Sequence, residues 1–135
     1  MKRRDIFSLA GLCAMPAIAA GEPRLKSNCV DGSNTKLTRE PFGEVRVYYD
    51  GPTDQLTWMT AGSLRLKPGM EPHPPHQHPE EEFLVITEGT GEVVVSGKTS
   101  KVEPGTMMYS AGNVLHGIKN TGNTPLLFYY YKWRK

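Results

Sequence analysis

Several features that would assign a protein to a class are scarce in this chain. It has two cysteines in 135 residues. Cys13 falls in an N-terminal leader, which leaves Cys29 with no intramolecular partner, so disulfides do not hold the fold. No apolar run approaches the roughly 18 to 20 residues of a membrane-spanning helix. Beyond the leader there is no helical periodicity of useful length, which leaves strands to build the domain. Neither charge sign dominates: Lys and Arg total 16 against 14 Asp and Glu. Lys2, Arg3, Arg4 and Asp5 leave with the leader, and 13 of each sign remain. A neutral mature domain carries no electrostatic footprint for nucleic acid or for an anionic membrane surface. A phosphate loop is also missing. Gly97-Lys98-Thr99 ends a stretch in which five residues separate Gly91 from Gly97 where the motif needs four, and strands flank it on both sides.

The leader itself is legible. Met1-Lys2-Arg3-Arg4 is a basic start, Ile6 to Met15 a short apolar segment, and Ala17-Ile18-Ala19 a small-residue cleavage pattern. The mature chain is therefore expected to begin near Ala20, in the periplasm or outside the cell. Arg3-Arg4 ahead of Asp5-Ile6-Phe7-Ser8-Leu9 resembles a bacterial twin-arginine signal. A Sec signal is the other route. Leu12 stands between Gly11 and Cys13, so the lipoprotein pattern is not met.

Glycine and proline are plentiful, 14 and 11 residues, and they punctuate short apolar runs in the manner of an all-β protein. Residues 20 to 43 read as an irregular lead-in. From Glu44 onward the pattern is strand after strand, and a single domain spans 44 to 135. Val45, Val47 and Tyr49 alternate with polar neighbours at the period of a half-buried strand. Further candidates are Gln55 to Ala61, Ser63 to Lys67, Phe83 to Thr87, Gly91 to Ser96, Thr99 to Val102, Thr106 to Tyr109, Val114 to Lys119 and Leu126 to Trp133. Strands at short intervals with Gly and Pro turns predict a barrel or sandwich.

The chemistry is concentrated in one stretch. His73, His76 and His78 fall within six residues, and Glu80-Glu81-Glu82 follows at once. The fourth histidine, His116, lies downstream in a strand-like setting. Imidazole and carboxylate together are a mixed ligand set that suits borderline divalent metals. His76 and His78 share a strand face, and Glu82 has the same parity. If that face looks inward, these three and His116 make a three-His, one-Glu site with one or two coordination positions left over, as a working site needs. His73 differs in parity and sits between two prolines, so it is expected at the mouth of the barrel. Glu80 and Glu81 are expected to be exposed or to support a ligand from behind. Trp58, Tyr109, Phe128, Tyr129 and Tyr130 are expected to pack in the core or at the rim, with a role as acid or base open to any tyrosine that faces the metal.

The spacing also resembles a known family. Gly69, six residues, His76-x-His78, three residues, Glu82, six residues and Gly89 is similar to the first signature of the cupin superfamily. Gly105 to Asn120, with His116 and Asn120 in register, resembles the second. Ala111 replaces the usual proline there and Asn113 the usual glycine; asparagine tolerates the left-handed conformation such a turn requires. The resemblance implies an all-β, double-stranded β-helix (jelly-roll) barrel, often dimeric, so a homodimer is expected. It implies one metal ion on His76, His78, Glu82 and His116, with Fe(II) or Mn(II) favoured and Zn(II), Ni(II) or Cu(II) open. Twin-arginine export carries folded protein, and would let Fe(II) or Mn(II) be enclosed before export. The leading expectation is an oxygenase acting on a small organic molecule, with Glu82 as ligand and possible base. A redox-neutral isomerase or lyase and a non-catalytic binding module are the alternatives, because one fold hosts many reactions.

Overall fold

The computed structural model describes residues 23–135. The export-signal reading falls on residues 1–19, outside the described residues. Nine strands follow a short 3-10 turn at Gly32–Asn34: β1 (Lys36–Glu40), β2 (Gly43–Gly51), β3 (Trp58–Leu66), β4 (Glu81–Glu88), β5 (Gly91–Val95), β6 (Lys98–Val102), β7 (Met107–Ser110), β8 (His116–Lys119) and β9 (Leu126–Arg134). They form a six-stranded sheet in the order β1-β2-β3-β9-β4-β7 and a three-stranded sheet in the order β6-β5-β8. Every strand pairing is antiparallel. The two sheets face each other across one core, to which the larger contributes Leu64, Ile86, Leu126 and Phe128 and the smaller Val93, Val102 and Ile118. This is the all-β jelly-roll architecture that the resemblance to the cupins implied, within the barrel or sandwich expected from the turn spacing.

Alternation explains which residues point in. Along β4, Leu84 and Ile86 are buried; along β9, Leu126, Phe128, Tyr130 and Lys132 are buried. Residues of the opposite parity, such as Tyr131 and, on β7, Met107 and Tyr109, are exposed on the outer face. The β5–β6 hairpin turns through Ser96 (φ 51°) and Gly97 (φ 80°), the two positive angles that a tight hairpin matching the strand twist requires.

Two expectations about elements are corrected. The lead-in is not irregular throughout, because Lys36–Glu40 pairs with β2 as an edge strand. None of its five residues is buried, so it carries no apolar alternation that a sequence could display. The two candidate strands around Gly62 are one continuous strand, β3. Gly62 does not break it; a Cβ there would lie 2.4 Å from Tyr130 Oη and 2.3 Å from the Arg46 carbonyl. The glycine makes room for a tyrosine ring lying across the strand.

Candidate metal centre

The histidine stretch is not a strand. It runs as a loop between β3 and β4, zipped to the second turn-and-strand unit by backbone hydrogen bonds. His76 and His116 exchange both their N–H···O bonds, each 2.9 Å, and Asn113 N–H donates to the His78 carbonyl at 2.7 Å. Asn113 adopts φ 63°, the left-handed conformation expected of it. Lower down, Gly69 donates to Asn120 and Asn120 to Met70, both at 2.9 Å. The fully buried Asn120 side chain holds three further backbone groups, on Leu66, Gly122 and Thr124. Gly117 lets this loop lie close to β8, since a Cβ there would be 3.1 Å from Pro75. The two halves of the signature are thus joined through the main chain, which carries the imidazoles with it.

His76, His78 and His116 offer nitrogen atoms that all lie within 4.8 Å of one another. Their rings meet edge to face, with centroids 4.7 to 5.0 Å apart and interplanar angles of 66° to 84°. Three imidazoles in this corner arrangement can hold one metal ion. Glu82 enters from β4: its Oε1 lies 3.2 Å from His78 Nε2 and 3.1 Å from His116 Nε2. The other nitrogen of each ring is already committed. His78 Nδ1 donates to the Glu80 carbonyl at 3.1 Å. His116 Nδ1 donates to the Val114 carbonyl at 2.8 Å, with Ser110 Oγ 3.1 Å away. A carbonyl can only accept, so both Nδ1 atoms carry a proton, and each Nε2 faces the carboxylate, to which it donates only when its ring is protonated.

That arrangement sets the electrostatics. Burial alone would raise the Glu82 pKa, but the hydrogen bonds with His116 and His78 prevail and hold it well below the usual carboxylate range. Burial works against a charged His116, yet the Glu82 carboxylate outweighs it and the His116 pKa is raised. His76 is pushed the other way. Its burial, followed by the proximity of His73, His78 and His116, lowers its pKa to about 3.

The three glutamates part company. Glu82 faces the imidazoles. Glu81 points out of the sheet and accepts a hydrogen bond from Tyr109 Oη at 2.7 Å. Glu80 is wholly buried behind His78, with Oε1 3.5 Å from His78 Nδ1 and Oε2 3.6 Å from Arg134 Nη1. Neither of its carboxylate oxygens has a hydrogen bond. Of the two places expected for Glu80, it takes the supporting one. His73 lies closer to the centre than a loop position suggests: its ring stacks on His76 at 3.7 Å and lines the same cavity. Tyr130 and Phe128 face that cavity, while Tyr109 faces outward.

Two polar residues in this region escaped the sequence reading. Ser110 and Lys132 flank Glu82 on the neighbouring strands, directly opposite it in register. Thr60 extends the row on β3, opposite Lys132. Thr60, Lys132 and Ser110 are all buried. One row across the inner face of the large sheet is therefore polar, while the next, Tyr130, Leu84 and Met108, is largely apolar. Parity was the available signal, because Lys132 shares the inward phase of Leu126, Phe128 and Tyr130.

Comparison with known proteins agrees with this geometry. The chain is 30% identical over 95 residues to a dimethylsulfoniopropionate lyase, DddW, of Ruegeria pomeroyi, a match covering 67% of this chain and 62% of that protein. The matched region thus spans less than two thirds of that relative. Among solved structures, an RmlC-like cupin from Shewanella frigidimarina superposes with a TM-score of 0.67 at 16% identity, covering 82% of this chain and 93% of that one. A structure described as a predicted oxalate decarboxylase from Thermotoga maritima gives a TM-score of 0.65 at 22% identity, covering 80% of this chain and 100% of that one. At those identities the structures speak for the fold alone. The cupin domain model matches residues 62–131, more than half of the sequence and the whole of the histidine-bearing core, and the chain belongs to the cupin family.

Proposed function

We propose that this protein is a metal-dependent enzyme. In this reading His76, His78, His116 and Glu82 hold one divalent ion, and a small organic molecule binds beside it for a redox-neutral lyase or isomerase reaction. The observation that carries the reading is the convergence of two Nε2 atoms on one carboxylate oxygen at 3.1 to 3.2 Å. With both Nδ1 atoms protonated, this convergence needs a cation, either a proton on an imidazole or a metal ion in its place. Donor atoms about 2.1 Å from a common metal, at right angles, are roughly 3.0 Å apart, close to what is found. The fit supports Glu82 as a ligand beside the three histidines. The sequence expectation of Fe(II) or Mn(II) enclosed before export belongs to the same proposal.

A bound divalent ion supplies a Lewis acid that polarises an oxygen of the bound molecule. The rest of the work falls to the chain. Leu64, Leu84, Met108, Ile118 and Phe128 wall the cavity and exclude water. His76, His78 and His116 orient the site, with two of their rings pinned by carbonyls. Glu82 holds its negative charge too firmly to serve well as a base, which favours ligation over the proton transfer also expected of it. Tyr130 adds its ring to the cavity wall, while its hydroxyl lies across Gly62 toward the Arg46 backbone and away from Glu82. The lyase named in the 30% identical relative supports redox-neutral chemistry over the oxygenase expected from sequence, which shares the same ligand set.

Elemental analysis tests the site. Wild-type protein should carry about one divalent ion per chain, and the His76→Ala, His116→Ala double variant should carry almost none; full retention refutes the assignment. Exclusive zinc or copper in protein recovered after export refutes loading with Fe(II) or Mn(II). A substrate screen in a sealed oxygen electrode tests the reaction. Product without oxygen uptake is expected, and stoichiometric uptake selects the oxygenase.

A further inference from the structure

The metal reading leaves Lys132 unexplained. Its side chain lines the same cavity as His73, His76, Glu82 and His116, and the residue is only 3% exposed. Lysine is among the residues least often buried, and burial of its ammonium must be compensated. In the pleated sheet Lys132 stands directly opposite Glu82, at the distance where cross-strand side chains interact. Glu82 is the one acidic residue among those lining the cavity. The other buried carboxylate nearby, Glu80, lies behind His78 with Arg134 beside it.

Charge balance then changes on metal loading. Without an ion, Lys132 and Glu82 offset each other across the sheet. With a divalent ion on the three imidazoles and Glu82, the one lining carboxylate is shared between the ion and the ammonium. The loaded cavity then holds a surplus of two positive charges between apolar walls. In such surroundings a surplus of this size is costly and calls for an anion.

We infer that Lys132 forms an anion subsite beside the metal position, and that the molecule bound there is a small carboxylate whose charged end meets the Lys132 ammonium while another oxygen faces the imidazoles. This rests on the metal reading above and names the substrate class for it. The subsite is also a reason for the polar row Thr60–Lys132–Glu82–Ser110 in a face that is otherwise apolar. Lysine at the position opposite a ligand carboxylate, rather than a leucine continuing the β9 pattern, specifies the charge of what may enter.

The test uses the full mature chain loaded with Co(II), whose visible spectrum reports the metal and its surroundings directly. Lactate and lactamide serve as probes of nearly one shape, differing in charge. Wild type should take up Co(II) and bind lactate at least tenfold more tightly than lactamide, with a shift of the Co(II) bands. Lys132→Met and Lys132→Gln should keep the Co(II) spectrum and lose most of that preference. Two variants are used so that a misfolding Met side chain does not decide the outcome. Equal preference in wild type and in a folded, Co(II)-loaded variant overturns the subsite. Loaded wild type that binds lactate no better than lactamide overturns it as well. Failure of wild type to take up Co(II) at all overturns the metal reading on which it stands.

Discussion

On the metal reading, Glu80→Gln should weaken binding of a divalent ion about tenfold without disturbing the fold. His78 is oriented by two groups of the same residue. The Glu80 carbonyl accepts from Nδ1 at 3.1 Å, and the carboxylate lies 3.5 Å from that nitrogen. The substitution keeps the volume and the carbonyl contact and removes the negative charge behind the ring. Partners behind a metal-ligating histidine are typically worth about 10- to 100-fold in metal affinity. The retained carbonyl, and a carboxylate distance just beyond direct hydrogen bonding, place this case at the lower end, about 1.4 kcal/mol. Stability should change little. The carboxylate is buried with neither oxygen hydrogen-bonded, so a neutral amide removes a desolvation cost. Arg134, whose side chain is 30% exposed, can turn to water when its partner charge is lost. The assay is competition with a chromophoric chelator at constant pH, with circular dichroism to confirm the fold. Glu81→Gln is the control, since it makes the same charge change one residue away on the outer surface, where Glu81 meets Tyr109. Equal affinity for wild type and Glu80→Gln would refute the role of Glu80. An equal loss in both variants would reduce the effect to net charge.

Two further outcomes are expected. In metal-free protein followed by NMR of the imidazole ring protons, His76 should stay neutral down to about pH 3 and His116 should titrate above the ordinary histidine range; reversal of that order would contradict the packing of the site. The consequences for stability have opposite signs. The unfolded chain protonates His76 first, so its contribution erodes as pH falls from about 6.5 toward 3, whereas the stabilisation from charged His116 is full below about 6.5 and is lost as pH rises through its raised folded value. Gly62→Ala should destabilise the fold by on the order of 2 to 4 kcal/mol and displace the Tyr130 ring, because the new methyl overlaps both Tyr130 Oη and the Arg46 backbone; a thermal midpoint within a degree or two of wild type would refute that packing.

What could be read ahead of the structure follows from periodicity. Alternation in β2 announces a half-buried strand, because side chains on a strand change face at every residue, whereas β4 and β9 are legible as apolar runs. Gly97 announces a hairpin by its backbone freedom, although Ser96, read as the end of a strand, takes the other turn position. Asn113 was legible as a left-handed residue for a related reason, since the short amide side chain tolerates positive φ. Where the chain leaves regular structure, parity loses its force. Residues 69 to 80 form a loop, so the even numbering of His76, His78 and Glu80 did not say which of them shared a face. It did not place Glu80 behind His78, or His73 on the ring of His76. β1 was invisible for another reason: an edge strand with no buried residue has no apolar pattern to show.

The sequence by itself determined the class of fold and the spacing of the imidazole and carboxylate groups at 76, 78, 82 and 116, because both are written in local pattern. Only the tertiary structure decided that β9 lies beside β4, which sets Lys132 against Glu82 across 50 positions of chain. Only it separated three consecutive glutamates into a group facing the imidazoles, a surface hydrogen-bond acceptor and a buried support. Those assignments depend on strand order and on a loop zipped to a distant turn. Both are set by contacts between residues far apart in the chain, which no local pattern records.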